Sequence, residues 1–250
     1  MDLSTVTQVS LVGVAFFAGL ISSIAGSGGI LTLPALLWAG LPPLNALATN
    51  KVQSAIGTLS SAWNFFRQGH IDIKPLLPVL LMGFIGSVIG TLAVQQLDSE
   101  ILLKLIPFLL IAIAAYFLLM PKVSEANSQP KINQAWFACT AGLGMGFYGG
   151  FFGPAMGSIF PFLLVWLMAR DLVTATAETK LMIVVVNGTS ALLFIAGGHV
   201  VWGLAIAMSV AQMIGARLGS NLVMKRGSSF VQPIITIVTL LMAVKLLFFV

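Results

Sequence analysis

Charged residues are scarce in this chain of 250 residues, since lysine, arginine, aspartate and glutamate together make up 8% of it. Hydrophobic residues make up 58%, and the mean hydropathy is +1.05. A water-soluble domain needs a charged surface, whereas a chain solvated by lipid carries its charges near the ends of its spans. Most charges lie near such ends here. The composition therefore excludes an ordinary soluble domain and predicts an all-α polytopic membrane protein.

Cysteine and intramembrane carboxylates are nearly absent as well. The one cysteine, Cys139, excludes an intrachain disulfide and a cysteine-rich metal site. Glu178 is the only carboxylate inside an apolar run, which argues against paired-carboxylate catalysis and gives thin support for a proton relay. The N-terminal segment lacks a basic region and a convincing cleavage site, so we expect it to be retained. We expect no enzymatic activity, cofactor, metal or nucleic-acid partner.

Eight apolar runs occupy most of the chain, and most of them have close to the ~20 residues that a transmembrane helix needs. Their bounds are about 9–41, 46–66, 75–97, 101–120, 135–169, 175–197, 199–223 and 229–250. The first and fifth runs are too long for one straight span, because the first alone would extend roughly 50 Å as a helix against a hydrocarbon core of about 30 Å. Each contains a glycine cluster, followed by Pro34 or Pro161. We therefore predict that both runs break.

A polar linker at 121–134 divides the chain into two transmembrane halves, 1–120 and 135–250. Aligning the halves so that Lys51 meets Lys180 lays "ALATNK" on "ATAETK". The same alignment matches Gly69 with Gly198, His70 with His199, Gly86 with Gly215, and Gly90 with Gly219. Lys51 and Lys180 are 129 positions apart, whereas Pro34 and Pro161 are 127 positions apart. The second half therefore carries a two-residue insertion near Arg170. Such matches are not expected by chance in an apolar chain and predict an internal duplication.

The basic residues indicate how the two halves are oriented. The count leaves aside Lys51, Lys180 and Arg217, which fall within apolar runs, and Lys245 near the end of the last run. If each long run crosses the membrane once, four of the remaining basic residues face each side. If each long run instead returns to its own side as a helical hairpin, seven basic residues share one side and only Lys104 lies opposite. The positive-inside rule favours the second count. It predicts inverted repeats, each with a glycine-broken hairpin followed by three transmembrane helices, and places both termini outside, in the periplasm.

Glycine at a hairpin tip suits the binding of an anion. It accepts the φ angle of a tight reversal and lets a ligand approach the backbone N–H groups, which at this depth need protein or a water-filled cavity around them. Helices that start just after the tip direct their positive dipole ends inward. Close helix packing is the alternative role of a membrane glycine, and we favour it for Gly86, Gly90, Gly215 and Gly219. The predicted binding residues of the tips are Gly26, Ser27, Gly28, Gly29, Gly149, Gly150 and Gly153.

Lys51 and Lys180 lie about two turns inside helices that are predicted to begin near Leu44 and Thr174, ~9 Å below the surface. A buried ammonium is costly unless it finds a partner, so a role in binding or gating stands beside the alternative that the lysines snorkel to the headgroups. The candidate binding residues on these helices are Thr49, Asn50, Lys51, Thr179 and Lys180. Glu178 is expected to neutralise Lys180 in part. His70 and His199 end their helices and are interpreted as interfacial caps rather than metal ligands.

A resemblance to the TauE/SafE family of membrane transporters, also described as sulfite exporter or anion permease-like, rests on "GLISSIAGSGGILTLPALL" with "ALATNK" and on the echo "GFYGGFFGPAMGSIFPFLL" with "ATAETK". It covers nearly the whole chain. The resemblance implies a bacterial inner-membrane carrier of small sulfur-containing or organic anions, such as sulfite or sulfonates. "GSGG" in place of three glycines and "ETK" in place of "TNK" depart from the family pattern, so the two half-sites are not expected to be equivalent.

The function predicted from these observations is export of a small anion that is bound between the two hairpin tips. An anion channel, or an uptake permease coupled to protons or sodium, is the alternative. The expected partners are the small anion and membrane lipid, and a homodimer is an open option for the assembly.

Overall fold

The computed structural model describes residues 3–26, 28–119 and 129–226, so Ser27, residues 120–128 of the linker region and the last predicted run at 229–250 lie outside the described residues. Within these ranges every regular element is helical. The helices are α1 (Thr5–Ala25), α2 (Gly28–Trp38), α3 (Pro43–Arg67), α4 (Ile73–Gln95), α5 (Ser99–Leu119), α6 (Gln134–Phe137), α7 (Leu143–Phe151), α8 (Met156–Met168), α9 (Leu172–Ala196) and α10 (Trp202–Arg226). A π-helical stretch, Ala138–Gly142, joins α6 to α7.

Both overlong apolar runs break as predicted. The first run divides into α1 and α2, and the fifth divides into α6, α7 and α8. Among the described residues, three segments are long and apolar enough to cross a membrane, namely Thr5–Ile24, Ile73–Gln95 and Leu172–Ala196. The second helices of the two broken runs, α2 and α8, have 11 and 13 residues. They therefore extend only about 16 and 20 Å, which is roughly half to two thirds of a hydrocarbon core.

The helix bounds follow the alignment of the two halves. Helices α3 and α9 each have 25 residues and begin at the matched positions Pro43 and Leu172. Helices α4 and α10 begin at the matched positions Ile73 and Trp202. The packing follows the same correspondence, because α1 packs on α10 whereas α7 packs on α4, and α3 packs on α9 between them. The first helix of each hairpin thus packs against a helix of the other half of the chain.

Helices α3 and α9 end in the same way. A glycine with a φ angle of 79° or 73° follows each helix. The backbone N–H groups of His70 and His199 then donate to the carbonyl oxygens of Phe65 and Phe194 at 3.1 and 3.2 Å, which satisfies carbonyls that the helix end leaves unpaired. The imidazole rings lie edge-on to the same phenyl rings, with centroids 6.1 and 6.4 Å apart. The backbone of each histidine thus caps its helix, while the interfacial position of the two imidazoles stays a prediction.

Four glycines lie where helices of opposite halves cross. They are Gly86 and Gly90 on α4, which face α7, and Gly215 and Gly219 on α10, which face α1. A Cβ atom on Gly86 would meet the carbonyl oxygen of Leu143, and one on Gly215 would meet that of Phe16. The backbones therefore approach as closely as small residues allow, and the structure confirms the packing interpretation of these glycines.

Gly86→Ala is expected to lower the stability of the protein by about 1–3 kcal/mol, because the added methyl group overpacks the contact between α4 and the α7 backbone. The thermal unfolding midpoint of the purified protein in detergent measures the effect. Gly144→Ala on α7 is the matched control, because no heavy atom lies within 4 Å of its Cβ position. A fall in the control as large as in Gly86→Ala would contradict this explanation.

Candidate functional site

The tips of the two hairpins meet inside the helix bundle. Gly26 ends α1 with a φ angle of 71°, and Gly153 follows α7 with a φ angle of 101°. A Cβ atom on Gly26 would collide with the backbone of Gly157 in the first turn of α8. On the other side of the tip, the Cβ position of Gly29 is 3.4 Å from the Cα atom of Pro154. Both the backbone conformation and the close approach require glycine at position 26.

Lys51 and Lys180 are both buried, each with 1% of its surface exposed. The Nζ atom of Lys51 donates to the carbonyl oxygen of Gly149 in the last turn of α7. The Nζ atom of Lys180 donates to the carbonyl oxygen of Ser22 in the last turn of α1. The alignment that matches Pro34 with Pro161 also matches Ser22 with Gly149, so the two carbonyls hold equivalent places in the two halves. Each ammonium therefore lies at the C-terminal end of a broken helix of the opposite half, where the helix dipole favours a cation.

No carboxylate balances these two ammonium groups in the part of the chain that the structure describes. The ion pairs there join Lys104 to Glu100 and Arg170 to Glu178. The other partner of Lys51 is the neutral Oδ1 atom of Asn187, at 3.3 Å. The burial of both lysines argues against snorkelling, which would carry the ammonium groups to water. A buried positive charge without a counter-charge is costly and leaves the site complementary to an anion.

A small cavity lies beside Lys51, between the hairpin tips. The alignment of the two halves relates four pairs among its lining residues, so the cavity lies across the junction of the halves. Its side chains include one ammonium, three hydroxyls and two amides, all of which can donate hydrogen bonds to a bound anion. Lys51 supplies the only formal charge among the lining residues. The full lining consists of Ser22, Gly26, Gly29, Asn50, Lys51, Ser54, Thr58, Gly153, Ala155, Met156, Gly157, Ile183 and Asn187.

The amide of Asn50 is oriented by a residue of α2. The hydroxyl of Thr32 donates to the Oδ1 atom of Asn50 at 2.6 Å, and both side chains are buried. This bond occupies the acceptor of the amide. The Nδ2 atom has no hydrogen-bond partner among the described residues, and Asn50 lines the cavity. Thr32 thus leaves Asn50 with a donor for a ligand beside Lys51.

The structure gathers some of the predicted residues and separates others. Those that line the cavity are Gly26, Gly29, Asn50, Lys51 and Gly153. Gly149 and Lys180 lie at the tips through the lysine–carbonyl bonds described above. Ser27 lies outside the described residues. The cavity thus includes a predicted residue from each tip but only one of the two lysines.

Four predicted residues point elsewhere. The Cβ position of Gly28 contacts Ala18 and Ser22 within the first hairpin, and that of Gly150 contacts Ser87 of α4. The hydroxyl of Thr49 accepts a hydrogen bond from the N–H of Val201 at 3.2 Å, just before α10. The hydroxyl of Thr179 donates to the carbonyl oxygen of Ala175, in its own helix, at 2.7 Å. None of these four residues lines the cavity.

Four polar lining residues were not singled out by the sequence pattern, namely Ser22 on α1 and three residues on the two helices that carry the lysines. Ser54 and Thr58 follow Lys51 by three and seven residues, and Asn187 follows Lys180 by seven. Residues with these spacings share one face of a helix. Helical periodicity counted from the lysines is therefore the signal that identifies these three residues.

The expected partner of Glu178 was wrong. Glu178 is 2% exposed, and its Oε1 atom lies 3.4 Å from the Nε atom of Arg170 in the turn that follows α8. Its ion pair is therefore with Arg170 and not with Lys180. Residues two apart on a helix point to different sides, which explains why adjacency in sequence did not give contact.

Comparison with known proteins identifies the family. The profile of the family described as "Sulfite exporter TauE/SafE" matches residues 11–246. The chain belongs to the TauE/SafE family. A relative named "Probable membrane transporter protein YfcA", from Escherichia coli K12, is 44% identical over 242 residues, which cover 95% of this chain and 90% of the relative. A "Probable membrane transporter protein" of Haemophilus influenzae is 36% identical over 248 residues, 99% of this chain and 97% of the relative.

A comparison with solved structures finds no significant match. The family profile confirms the resemblance that the glycine-rich and lysine-containing motifs indicated. This TauE/SafE chain is therefore a multi-pass membrane transporter.

Proposed function

We propose that this TauE/SafE protein exports a small anion, such as sulfite, a sulfonate or another small sulfur-containing or organic anion. The observation that carries the proposal is Lys51, a buried ammonium that lines the cavity and has no carboxylate partner among the described residues. An anion in the cavity supplies the missing negative charge. The desolvation cost of the lysine is then offset by a charge-assisted contact.

The other lining groups complement such an anion. The Nδ2 atom of Asn50 and the hydroxyls of Ser54 and Thr58 can donate to it from α3. Helices α2 and α8 begin at Gly28 and Met156, beside the cavity, and their positive dipole ends favour negative charge there. The cavity thus combines one formal positive charge with several neutral donors, which suits a small anion with more than one oxygen.

Export follows from the charge of the site and the membrane potential. An inside-negative potential assists the exit of one negative charge by about 2.3 kcal/mol per 100 mV. The carboxylate of Glu178 is held by Arg170 and does not line the cavity, so the cavity itself offers no carboxylate to carry a proton. Efflux of the anion therefore needs no coupled ion, whereas uptake does.

Purified protein in lipid vesicles is expected to release anion in response to an imposed potential, without a pH gradient. The anions to compare are sulfite, thiosulfate, sulfonates, small carboxylates and taurine, and Lys104→Met is a control because Lys104 is exposed on α5. Saturable efflux that follows the potential supports the proposal. Strict dependence on a proton or sodium gradient would identify a coupled permease, and single-channel conductance would identify a channel.

We further infer that the chain lies in the inner membrane, as inverted repeats with both termini outside. Two contacts support this arrangement. The side chain of Asn45 donates to the carbonyl oxygen of His199 at 2.9 Å, and the N–H of Lys131 donates to that of Leu167 at 2.8 Å. Each bond joins two segments that lie on the same side of the membrane in the hairpin arrangement, in which seven basic residues share one side.

Single cysteines in a Cys139→Ser protein test the arrangement. An impermeant thiol reagent outside the cell should label cysteines at the two ends of the chain and spare a cysteine in the linker at 121–134, because the positive-inside rule keeps that linker in the cytoplasm. Labelling of all three positions would contradict the arrangement.

A further inference from the structure

The two lysine–carbonyl bonds join opposite halves of the chain in a reciprocal way. Lys51 of the first half binds Gly149 of the second hairpin, and Lys180 of the second half binds Ser22 of the first hairpin. We propose that each lysine holds the hairpin of the opposite half in place, and that an anion bound at Lys51 replaces the Gly149 carbonyl oxygen and releases the second hairpin. This inference rests on the proposed function, because it uses the same anion and the same ammonium group.

The release follows from competition for one ammonium group. The Gly149 carbonyl is a neutral acceptor, whereas an anion brings a full negative charge to the same ammonium and so adds Coulombic attraction to the hydrogen bond. The second hairpin also closes directly over Lys51, because the Cβ position of Gly153 is only 2.6 Å from Nζ. A ligand therefore cannot approach the ammonium from that side while the hairpin stays where it is. An anion that binds Nζ from the cavity weakens the contact that keeps the hairpin there.

In this conformation the cavity gives an anion access to Lys51 but not to Lys180. Lys51 lines the cavity, whereas the Nζ atom of Lys180 is engaged by Ser22 and Lys180 is not among the lining residues. Asn187, on α9, accepts from Lys51 and keeps the ammonium next to the cavity. An anion that enters the cavity thus meets the lysine that holds the second hairpin, while Lys180 continues to hold the first. Binding is thereby coupled to the movement of one hairpin only.

The rate at which a thiol reagent labels each hairpin tests the proposal in a Cys139→Ser protein in detergent. Ser158→Cys on α8 reports on the second hairpin and Ser23→Cys on α1 reports on the first, because both serines are buried and neither lines the cavity. In the absence of anion, Lys51→Met should raise labelling of Ser158→Cys about 10-fold to 150-fold and leave Ser23→Cys within about twofold, because one bond to a charged group is lost. Lys180→Met should have the reverse effect. Lys104→Met, at an exposed lysine of α5, should change neither rate.

The effect of an anion is measured with methanesulfonate, after calorimetry has determined its dissociation constant. Methanesulfonate does not react with a maleimide, which serves as the thiol reagent. The anion should accelerate labelling of Ser158→Cys in the parent and have no effect once Lys51→Met is present. Lys51→Gln is the second variant if Lys51→Met is not monodisperse, and the same hairpin should respond. The proposal is overturned if the Lys51 variants leave labelling of Ser158→Cys within twofold, or if both hairpins respond equally to one lysine. If methanesulfonate does not bind while each lysine variant still affects only the hairpin of the opposite half, the result contradicts the proposed anion site and not the role of the lysines in holding the hairpins.

Discussion

Lys51→Met is expected to lower the affinity for the transported anion about 10-fold to 150-fold while the protein stays folded. Methionine keeps most of the bulk of the lysine stem and removes the ammonium group that lines the cavity. The loss corresponds to one partly desolvated, charge-assisted contact, worth roughly 1.5 to 3 kcal/mol. Calorimetric titration of purified, monodisperse protein measures the effect.

Lys180→Met is expected to have the smaller effect on affinity, because Lys180 is engaged by the Ser22 carbonyl and does not line the cavity. It serves as the matched variant for Lys51→Met, since both lysines are buried to the same extent. If both methionine variants bind the anion within about twofold of the parent, the lysines only hold the hairpins and the anion site must rest on the tips.

Gly26→Ala is expected to destabilise the protein by roughly 3 kcal/mol or more. The φ angle of 71° is strained for alanine, and the added Cβ atom would collide with the backbone of Gly157 in the other hairpin. The colliding group is backbone rather than a flexible side chain, so the two tips must separate to make room. The thermal unfolding midpoint in detergent should fall markedly, and anion binding should be lost with it.

Gly13→Ala is the control for Gly26→Ala. Gly13 lies on the same helix, and no heavy atom is within 4 Å of its Cβ position. Alanine in a helix interior is favoured over glycine by about 0.5–1 kcal/mol, so this change should leave the protein unchanged or slightly more stable. Equal stability of Gly26→Ala and the parent would show that the tips are not packed as described.

The helices were predictable because their signals are local. Apolar runs of suitable length and matched motifs indicated helices that begin near Leu44 and Thr174, and the structure begins them at Pro43 and Leu172. Glycine clusters in runs too long for one span indicated both breaks. The partners of the lysines were not predictable in the same way, because their acceptors are backbone carbonyls far away in sequence, in the opposite half of the chain. Backbone acceptors occur at every residue and leave no pattern in a sequence.

Residues next to a lysine were less informative than residues one or two turns away. Thr49 and Thr179 precede Asn50 and Lys180 in the two motifs. Their hydroxyls nevertheless form hydrogen bonds with backbone groups outside the cavity. Successive positions on a helix differ by about 100°, and of the predicted residues beside the two lysines only Asn50 also lines the cavity. Thr58 and Asn187, seven residues after the two lysines, return to the face that lines the cavity. The fold therefore selects the site by helical face rather than by motif.

The most direct test of the anion site is protection of Ser54→Cys in a Cys139→Ser protein. Ser54 lines the cavity one helical turn from Lys51 and is partly accessible. At a methanesulfonate concentration about tenfold above the dissociation constant from calorimetry, alkylation of this cysteine should slow about 10-fold, because only the anion-free protein reacts. The same concentration should give at most about twofold protection when Lys51→Met is added, because the affinity is then at least about 10-fold weaker. An unchanged alkylation rate at saturation in the parent would place the bound anion elsewhere and contradict a site between the hairpin tips.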